Sequence, residues 1–315
     1  MINRIKYVLP FYHTVSDQPL SHIKALYPVK TIHEFIKELE YFALKYKIVS
    51  LQEFYNLSIN NFAPVKKPVI HFTFDDGLRE CYDVIAPILI RKGIPATFFI
   101  NTGFIDNKDL FFRYKISIII DKLSNEKLIH DKKLNEILSI NSSDQINEKL
   151  LSIRYDQIDV IKRIADYLNI NFNEFLQARE PYMSRNQIKY LADQGFNIGA
   201  HSVDHPEFRF IDKPEQFKQV QESIQDINNL VSQEIKAFSF PFTDYDISND
   251  LFNQLFSNKI IDISFGTAGI KHDVVKMNFQ RIPMETGQSL RQILIRQMGK
   301  HYIRSMIGIN SIIRD

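Results

Sequence analysis

Short runs of β-branched and aromatic residues alternate along this chain with longer stretches of helical period. Lys6 to Phe11 is a compact apolar run that predicts a buried strand leading into Tyr12, His13 and Thr14. Thr31 and Glu34 have capping-box spacing, and Phe35, Leu39 and Phe42 line one face of the helix that follows. Val69 to Phe74 predicts a strand ending on Asp75-Asp76-Gly77; Glu80 to Lys92 predicts a helix stopped by Gly93; Ala96 to Ile100 predicts another strand. This is a βαβ unit, whose strands should be parallel. The alternation returns at Ser184, a cap for a helix over Asn186–Gln194 that Gly195 ends, and continues in a strand over Phe196–Ala200. A helix over Pro214–Val231, with Val220, Ile224 and Ile227 on its apolar face, and strands at Ala237–Phe240 and Ile261–Phe265 complete the pattern.

One stretch breaks it. Residues 106–180 contain no glycine, are rich in Lys, Asn, Ile and Leu, and read mainly as helices. They are too many for a connecting loop, so the pattern predicts a helical insertion near the rim that the preceding strand reaches. Each strand of the alternating part ends on polar, reactive residues, and in α/β barrels that edge is where active sites form. The fold class is therefore α/β. The length of 315 residues fits one large barrel or two smaller domains.

Composition narrows the function. The hydrophobic fraction of 44% is enough for a substantial core, and a formal net charge of +2 gives no electrostatic case for a nucleic-acid partner. Cys81 is the single cysteine, which excludes an internal disulfide and any cysteine-based zinc site and reads as a small core residue. No stretch has the length of apolar residues that spans a bilayer, and the N-terminal apolar run is too short for a signal peptide. The expected location is the cytoplasm. The segment 289–315 reads as a basic helix in which Arg291, Arg296, Lys300, Arg304 and Arg314 lie among apolar residues. Such a helix packs on a barrel or lies on an anionic membrane, so peripheral membrane contact is one expectation.

Two clusters carry chemistry. Asp75 and Asp76 sit at a strand end, where alternating side chains point apart, so one can bind a metal while the other faces substrate as a base. The same Asp-Asp-Gly is also an ordinary turn sequence. In His201-Ser202-Val203-Asp204-His205-Pro206, two imidazoles four residues apart can converge on one ion, and Pro206 is expected to hold His205 extended and fix the turn. Two histidines and a carboxylate leave coordination positions open for water and substrate. The donor set suits Zn²⁺, with Co²⁺, Ni²⁺ and Fe²⁺ as alternatives.

Thr73–Gly77 and His201–Pro206 together resemble the first two motifs of the polysaccharide deacetylase family, the NodB-homology carbohydrate esterases. The resemblance implies a distorted, incomplete (β/α) barrel as one domain over residues 1–315. It implies Asp75 as general base, Asp76, His201 and His205 as metal ligands, and an N-acetylated glycan or glycolipid as substrate. Phe238-Ser239-Phe240-Pro241-Phe242 resembles the third motif, which makes the Phe242 backbone N–H the expected oxyanion donor. There the family's usual glycine is replaced by Thr243, and its arginine before the proline is missing. Arg281 either replaces that arginine by pairing with Asp75 or is a surface residue. The family's C-terminal Leu-X-His motif is not evident: His272 reads as an exposed loop residue and His301 as part of the terminal helix. Phe11-Tyr12-His13-Thr14 instead resembles the Tyr-His segment of the poly-N-acetylglucosamine deacetylase branch, which implies His13 as general acid. The activity implied is hydrolysis of an acetamide to acetate and a free amino sugar. The alternatives are hydrolysis of a non-sugar linear amide and an inactive relative that only binds glycan.

Overall fold

A computed structural model describes residues 5–63, 66–126 and 131–315. Eight short strands form one parallel sheet: β1 (Pro10–Tyr12), β2 (Phe72–Phe74), β3 (Ala96–Ile100), β4 (Asn197–Ala200), β5 (Ala237–Ser239), β6 (Ile263–Gly266), β7 (Asn278–Gln280) and β8 (Ile282–Pro283). Their order across the sheet is β7-β6-β5-β4-β3-β2-β1-β8. Only Arg281 separates β7 from β8, yet β7 pairs with β6 and β8 with β1. The two edges of the sheet are thus consecutive residues of one stretch, and the sheet curls nearly shut into a barrel. The strands are buried almost throughout, as expected for a parallel sheet covered by helices.

The predicted strands are present: Ala96–Ile100 has the bounds read from sequence, and the others are shorter or shifted by a residue or two. Lys6–Phe11 resolves into Tyr7–Val8 and β1, and Val69–Phe74 into Val69–Ile70 and β2. The first half of each leaves the barrel to pair in a small sheet with Lys47–Ile48. The helix expected over Glu80–Lys92 contains a widened π turn at Cys81–Ile85, followed by regular helix over Ala86–Lys92. Pro87 explains it: a proline inside a helix has no N–H and clashes with the carbonyl four residues back, and the wider turn relieves both problems. The capping box at Thr31, ahead of α1 (Ile32–Lys45), forms as read; the cap read at Ser184 is also a full capping box with Gln187, and Gly93 ends its helix at φ +63°.

The described residues of segment 106–180 are mainly helical, from α2 (Phe112–Asn125) to Phe172–Arg179, and Tyr114, Ile119, Leu134 and Ile164 lie in a second hydrophobic cluster that also takes in Ile23 and Leu78. The basic C-terminal helix, α3 (Leu290–Met306), is shorter than expected. Beyond it Gly308 turns at φ +74°, and Ser311–Ile312 pairs with His272–Asp273, so His272 lies in a short strand rather than a loop. Among the described residues no helix is long and apolar enough to cross a membrane.

The tail ends in a buried charge cluster. The Arg314 guanidinium, fully enclosed, reaches Asp244, Asp273 and the backbone carbonyls of Asp244 and Ile247. Asn278 and Gln280 of β7 donate to the same two carboxylates. Asp244 follows the loop after β5 and lies against Gly266, where a Cβ would stand 2.2 Å from its carboxylate. Arg314→Ala would leave two buried carboxylates without their cation and is expected to cost about 3–5 kcal/mol. A urea unfolding curve within 1 kcal/mol of the parent, by order of magnitude, would count against that account.

Candidate active site

The C-terminal ends of β1, β2, β4 and β5 deliver His13, Asp75 and Asp76, His201 and His205, and Phe242 to one cavity of about 480 Å³. Asp76 leaves its strand in a left-handed turn, with φ +70°. The two acids therefore do not simply point apart as strand alternation would set them: Asp75 Oδ2 and Asp76 Oδ1 lie 3.8 and 3.6 Å from the same His201 Nε2. His205 also departs from expectation: its φ is +60°, so Pro206 does not hold it extended. Ser202 sets this turn, with its own φ at +67° and its Oγ accepting the His205 N–H at 3.0 Å. Loop 101–103 fixes it from outside, where the Thr102 and Gly103 N–H groups donate to Ser202 and Val203 at 3.1 and 2.8 Å. Positive φ is uncommon for residues with a Cβ, and here it aims both imidazoles at Asp76.

Asp76, His201 and His205 each offer one atom of a group whose atoms lie within 4.8 Å of one another. The Asp76 Oδ1 is 3.6 Å from His201 Nε2 and 3.3 Å from His205 Nε2, and it has no hydrogen-bond partner. A buried carboxylate oxygen without a donor, facing two ring nitrogens, fits a divalent cation. His201 Nδ1 donates to the Ser239 carbonyl at 2.7 Å, which leaves its Nε2 lone pair free. Burial lowers the His201 pKa to about 4, so the ring is in the neutral form that a metal requires. The second oxygen of Asp76 accepts from the Tyr114 hydroxyl at 2.5 Å. Tyr114 comes from α2, so the helical segment holds one of the candidate ligands directly.

Asp75 lies beside this group, its Oδ2 3.8 Å from His201 Nε2. Arg281, fully buried, donates Nη1 and Nη2 to its two oxygens at 2.7 Å each. The same guanidinium donates to Ser239 Oγ at 2.6 Å and Thr73 Oγ1 at 3.1 Å, and the Phe11 ring lies 4.6 Å away. The reading of Arg281 as a surface residue is thereby overturned. Burial alone would raise the Asp75 pKa, but the guanidinium outweighs it and holds the carboxyl below its ordinary range.

His13 lies at the mouth, its ring stacked on Tyr27 with centroids 4.7 Å apart. Its Nδ1 is 2.5 Å from Glu285, which also accepts the backbone N–H groups of His13 and Thr14 at 2.9 Å. Burial would depress the imidazole, but Glu285 prevails and raises its pKa to about 9. Phe242 sits at φ +56° with its ring edge-on to His205 at 4.8 Å, and its N–H has no hydrogen-bond partner among the described residues. His272 and His301 lie away from this cavity, around the cavity between α3 and the barrel wall. Cys81 is buried in the core.

Three residues that shape the cavity carry no sequence signal that pattern reading could use: Glu285, Tyr114 and Tyr27. Glu285 lies four positions after Arg281 on the chain that closes the barrel, and that spacing becomes informative only once the strand is known. Phe111, Arg113 and Leu151 of the helical segment form another wall.

The His13–Glu285 pair makes a titration prediction. A raised pKa means that the pair's contribution to stability is complete below pH 6.5 and is lost as pH rises through about 9. In Glu285→Gln the partner charge is gone while burial remains, so the His13 titration followed by NMR should fall to 6.5 or lower. A titration still near 9 in that variant would assign the shift to another group.

The sequence profile of the polysaccharide deacetylase family matches residues 63–139 and 143–255, more than half of the 315 residues. No curated protein is significantly similar in sequence. Among solved structures, the Streptococcus pyogenes deacetylase PplD in complex with acetate superposes with a TM-score of 0.59 at 16% identity, covering 94% of this chain and 99% of that one. IcaB from Ammonifex degensii gives 0.55 at 12% identity over 95% and 97% of the two chains. A de-N-acetylase from Aggregatibacter actinomycetemcomitans gives 0.53 at 15% identity over 91% and 99%. At these identities the structural likeness speaks for the fold, a nearly closed barrel of parallel strands shared by all three. With the family profile across both motif-bearing segments, it follows that the chain belongs to the polysaccharide deacetylase family and is a carbohydrate deacetylase.

Proposed function

We propose that the chain is a metal-dependent de-N-acetylase that hydrolyses the acetamide of an N-acetylated sugar within a glycan or glycolipid, releasing acetate and a free amine. The observation that carries this reading is the orphaned Oδ1 of Asp76 facing two imidazole nitrogens, beside a second carboxylate kept ionised by Arg281. De-N-acetylase and deacetylase activities in the names of the structural neighbours agree with it.

Asp76, His201 and His205 would hold the cation, with Zn²⁺ the best match to two imidazoles and a carboxylate and Co²⁺, Ni²⁺ or Fe²⁺ as substitutes. A bound ion supplies Lewis acidity towards water and the amide carbonyl. Asp75 is ionised at neutral pH and takes the proton of the attacking water. The free Phe242 N–H donates to the oxyanion that develops on the carbonyl. His13, protonated at neutral pH because of Glu285, donates to the leaving nitrogen; an amine anion is too poor a leaving group to depart without it. The cavity, walled by Tyr27, Phe111 and Phe242, has room for one sugar ring with its acetamide at the centre. Residues 106–180 then act as an insertion in a single barrel domain. A complete set of base, acid and ligands favours turnover over simple glycan binding.

Three measurements test the reading. The metal-loaded protein should release acetate from N-acetylglucosamine oligomers and stop when chelated; no release from any acetylated sugar tested would refute it. Asp75→Asn should keep its metal and lose turnover by a factor of about 10²–10⁴. Loss of metal in that variant would move Asp75 into the ligand set. Tyr114→Phe removes the hydrogen bond that orients Asp76, so metal affinity measured by competition should weaken about tenfold or more. An unchanged affinity would reduce Tyr114 to a packing role.

A further inference from the structure

Seven of the eighteen large apolar side chains exposed on the described surface fall between residues 295 and 313, so exposure is concentrated in one short segment. On α3, Ile293, Leu294, Gln297 and His301 face the barrel and are buried. The opposite side is not covered. At about 100° per residue, Ile295, Tyr302, Ile303 and Met306 fall on a single outer stripe. Ile295, Ile303 and Met306 are 61, 58 and 65% exposed, and Ile307 and Ile309 continue the exposed surface at 63 and 58%. Arg291 borders the stripe on one side and Arg296 and Lys300 on the other, with Arg304 further round towards the barrel, and none of the four is in an ion pair among the described residues. From Ser289 to Arg314 there is no acidic residue.

We propose that this outer face of α3 is a docking surface for an anionic lipid bilayer. An apolar stripe bordered by unpaired cations on one side of a helix is the arrangement that lies in a membrane interface, the stripe among the acyl chains and the cations among the headgroups. The charges decide between occupants. A second copy of the chain placed on this face would bring the cations that border the stripe against their like-charged counterparts, whereas an anionic headgroup layer complements both the charge and the apolar stripe. The face carries no residue of the catalytic cavity, so the proposal does not depend on the metal-centred reading above.

The full chain is tested by co-sedimentation with vesicles of phosphatidylcholine containing about one quarter phosphatidylglycerol, and with phosphatidylcholine alone. It should partition onto the anionic vesicles and much less onto the neutral ones, and added salt should release it. Arg296→Gln with Lys300→Gln should weaken partitioning about thirtyfold, at about fivefold for each cation removed near an anionic surface. Ile303→Ser with Ile307→Ser should also release the protein, while acetate release from a soluble oligomer stays at the parent value in both double variants. Chelation should abolish acetate release and leave vesicle binding intact, which separates failure of the catalytic reading from failure of this one. The proposal is overturned if the chain stays in solution with anionic vesicles or if the double variants bind like the parent. It is equally overturned if sedimentation equilibrium shows a dimer that Ile303→Ser dissociates.

Discussion

The bidentate pair between Arg281 and Asp75 is the interaction on which the rest of the site depends. Arg281 is the one residue between β7 and β8, so its backbone stands where the two edges of the sheet meet. Its side chain runs inward, contacts Thr73, Ser239 and the Gly266 carbonyl, and ends on Asp75. A guanidinium so enclosed is stable only when its donors and charge are met, and the site meets them with one carboxylate and three neutral acceptors. Closing the barrel and ionising the carboxylate are consequently a single structural event. Removing either partner would strand the other charge in a medium that cannot hydrate it.

The second constraint is backbone strain at the rim. Asp76, Ser202, His205 and Phe242 all take positive φ although none is glycine. Each such residue costs on the order of 1–3 kcal/mol, which the surrounding structure must offset. Here the offset is visible in the hydrogen bonds from loop 101–103, in Ser202 Oγ, and in the Thr267 hydroxyl that donates to the Phe242 carbonyl at 2.9 Å. The result is a set of side chains aimed at one point before any ligand arrives, which is the form of preorganisation that lowers the cost of catalysis.

Much of this was legible in the sequence, and the division follows a physical line. Strands of β-branched and aromatic residues ending in Asp75-Asp76 and His201 could be read because local pattern sets both strand and exit. The convergence of Asp76, His201 and His205 could be expected because motif spacing encodes it. Positive φ at His205 could not be read, since it depends on a hydrogen bond to Ser202 and on packing against loop 101–103. Arg281 was visible as a candidate, but its choice between surface and site depended on β7 and β8, three- and two-residue strands too short to leave a periodic signal. Glu285 and Tyr114 were hidden for a related reason: each acts across a sequence separation of 272 or 38 residues, and nothing local marks a residue whose partner is that distant.

The helical segment shows the same limit from the other side. Its helicity was plain from composition, whereas its connection to the chemistry rests on one hydroxyl. Tyr114 donates to Asp76 and lies 3.3 Å from the hydroxyl of Tyr27, whose ring stacks on His13. The candidate ligand and the candidate acid are thus joined by two tyrosines, one from the loop after β1 and one from α2. Burial pushes both phenols far above their usual range, so they remain neutral donors and place no additional negative charge beside the ligand carboxylate. A segment that serves only to pack would not need a hydroxyl at that position. The hydrogen bond therefore gives the helices a physical reason to sit where they do, against the cavity, with Phe111 and Leu151 forming its wall.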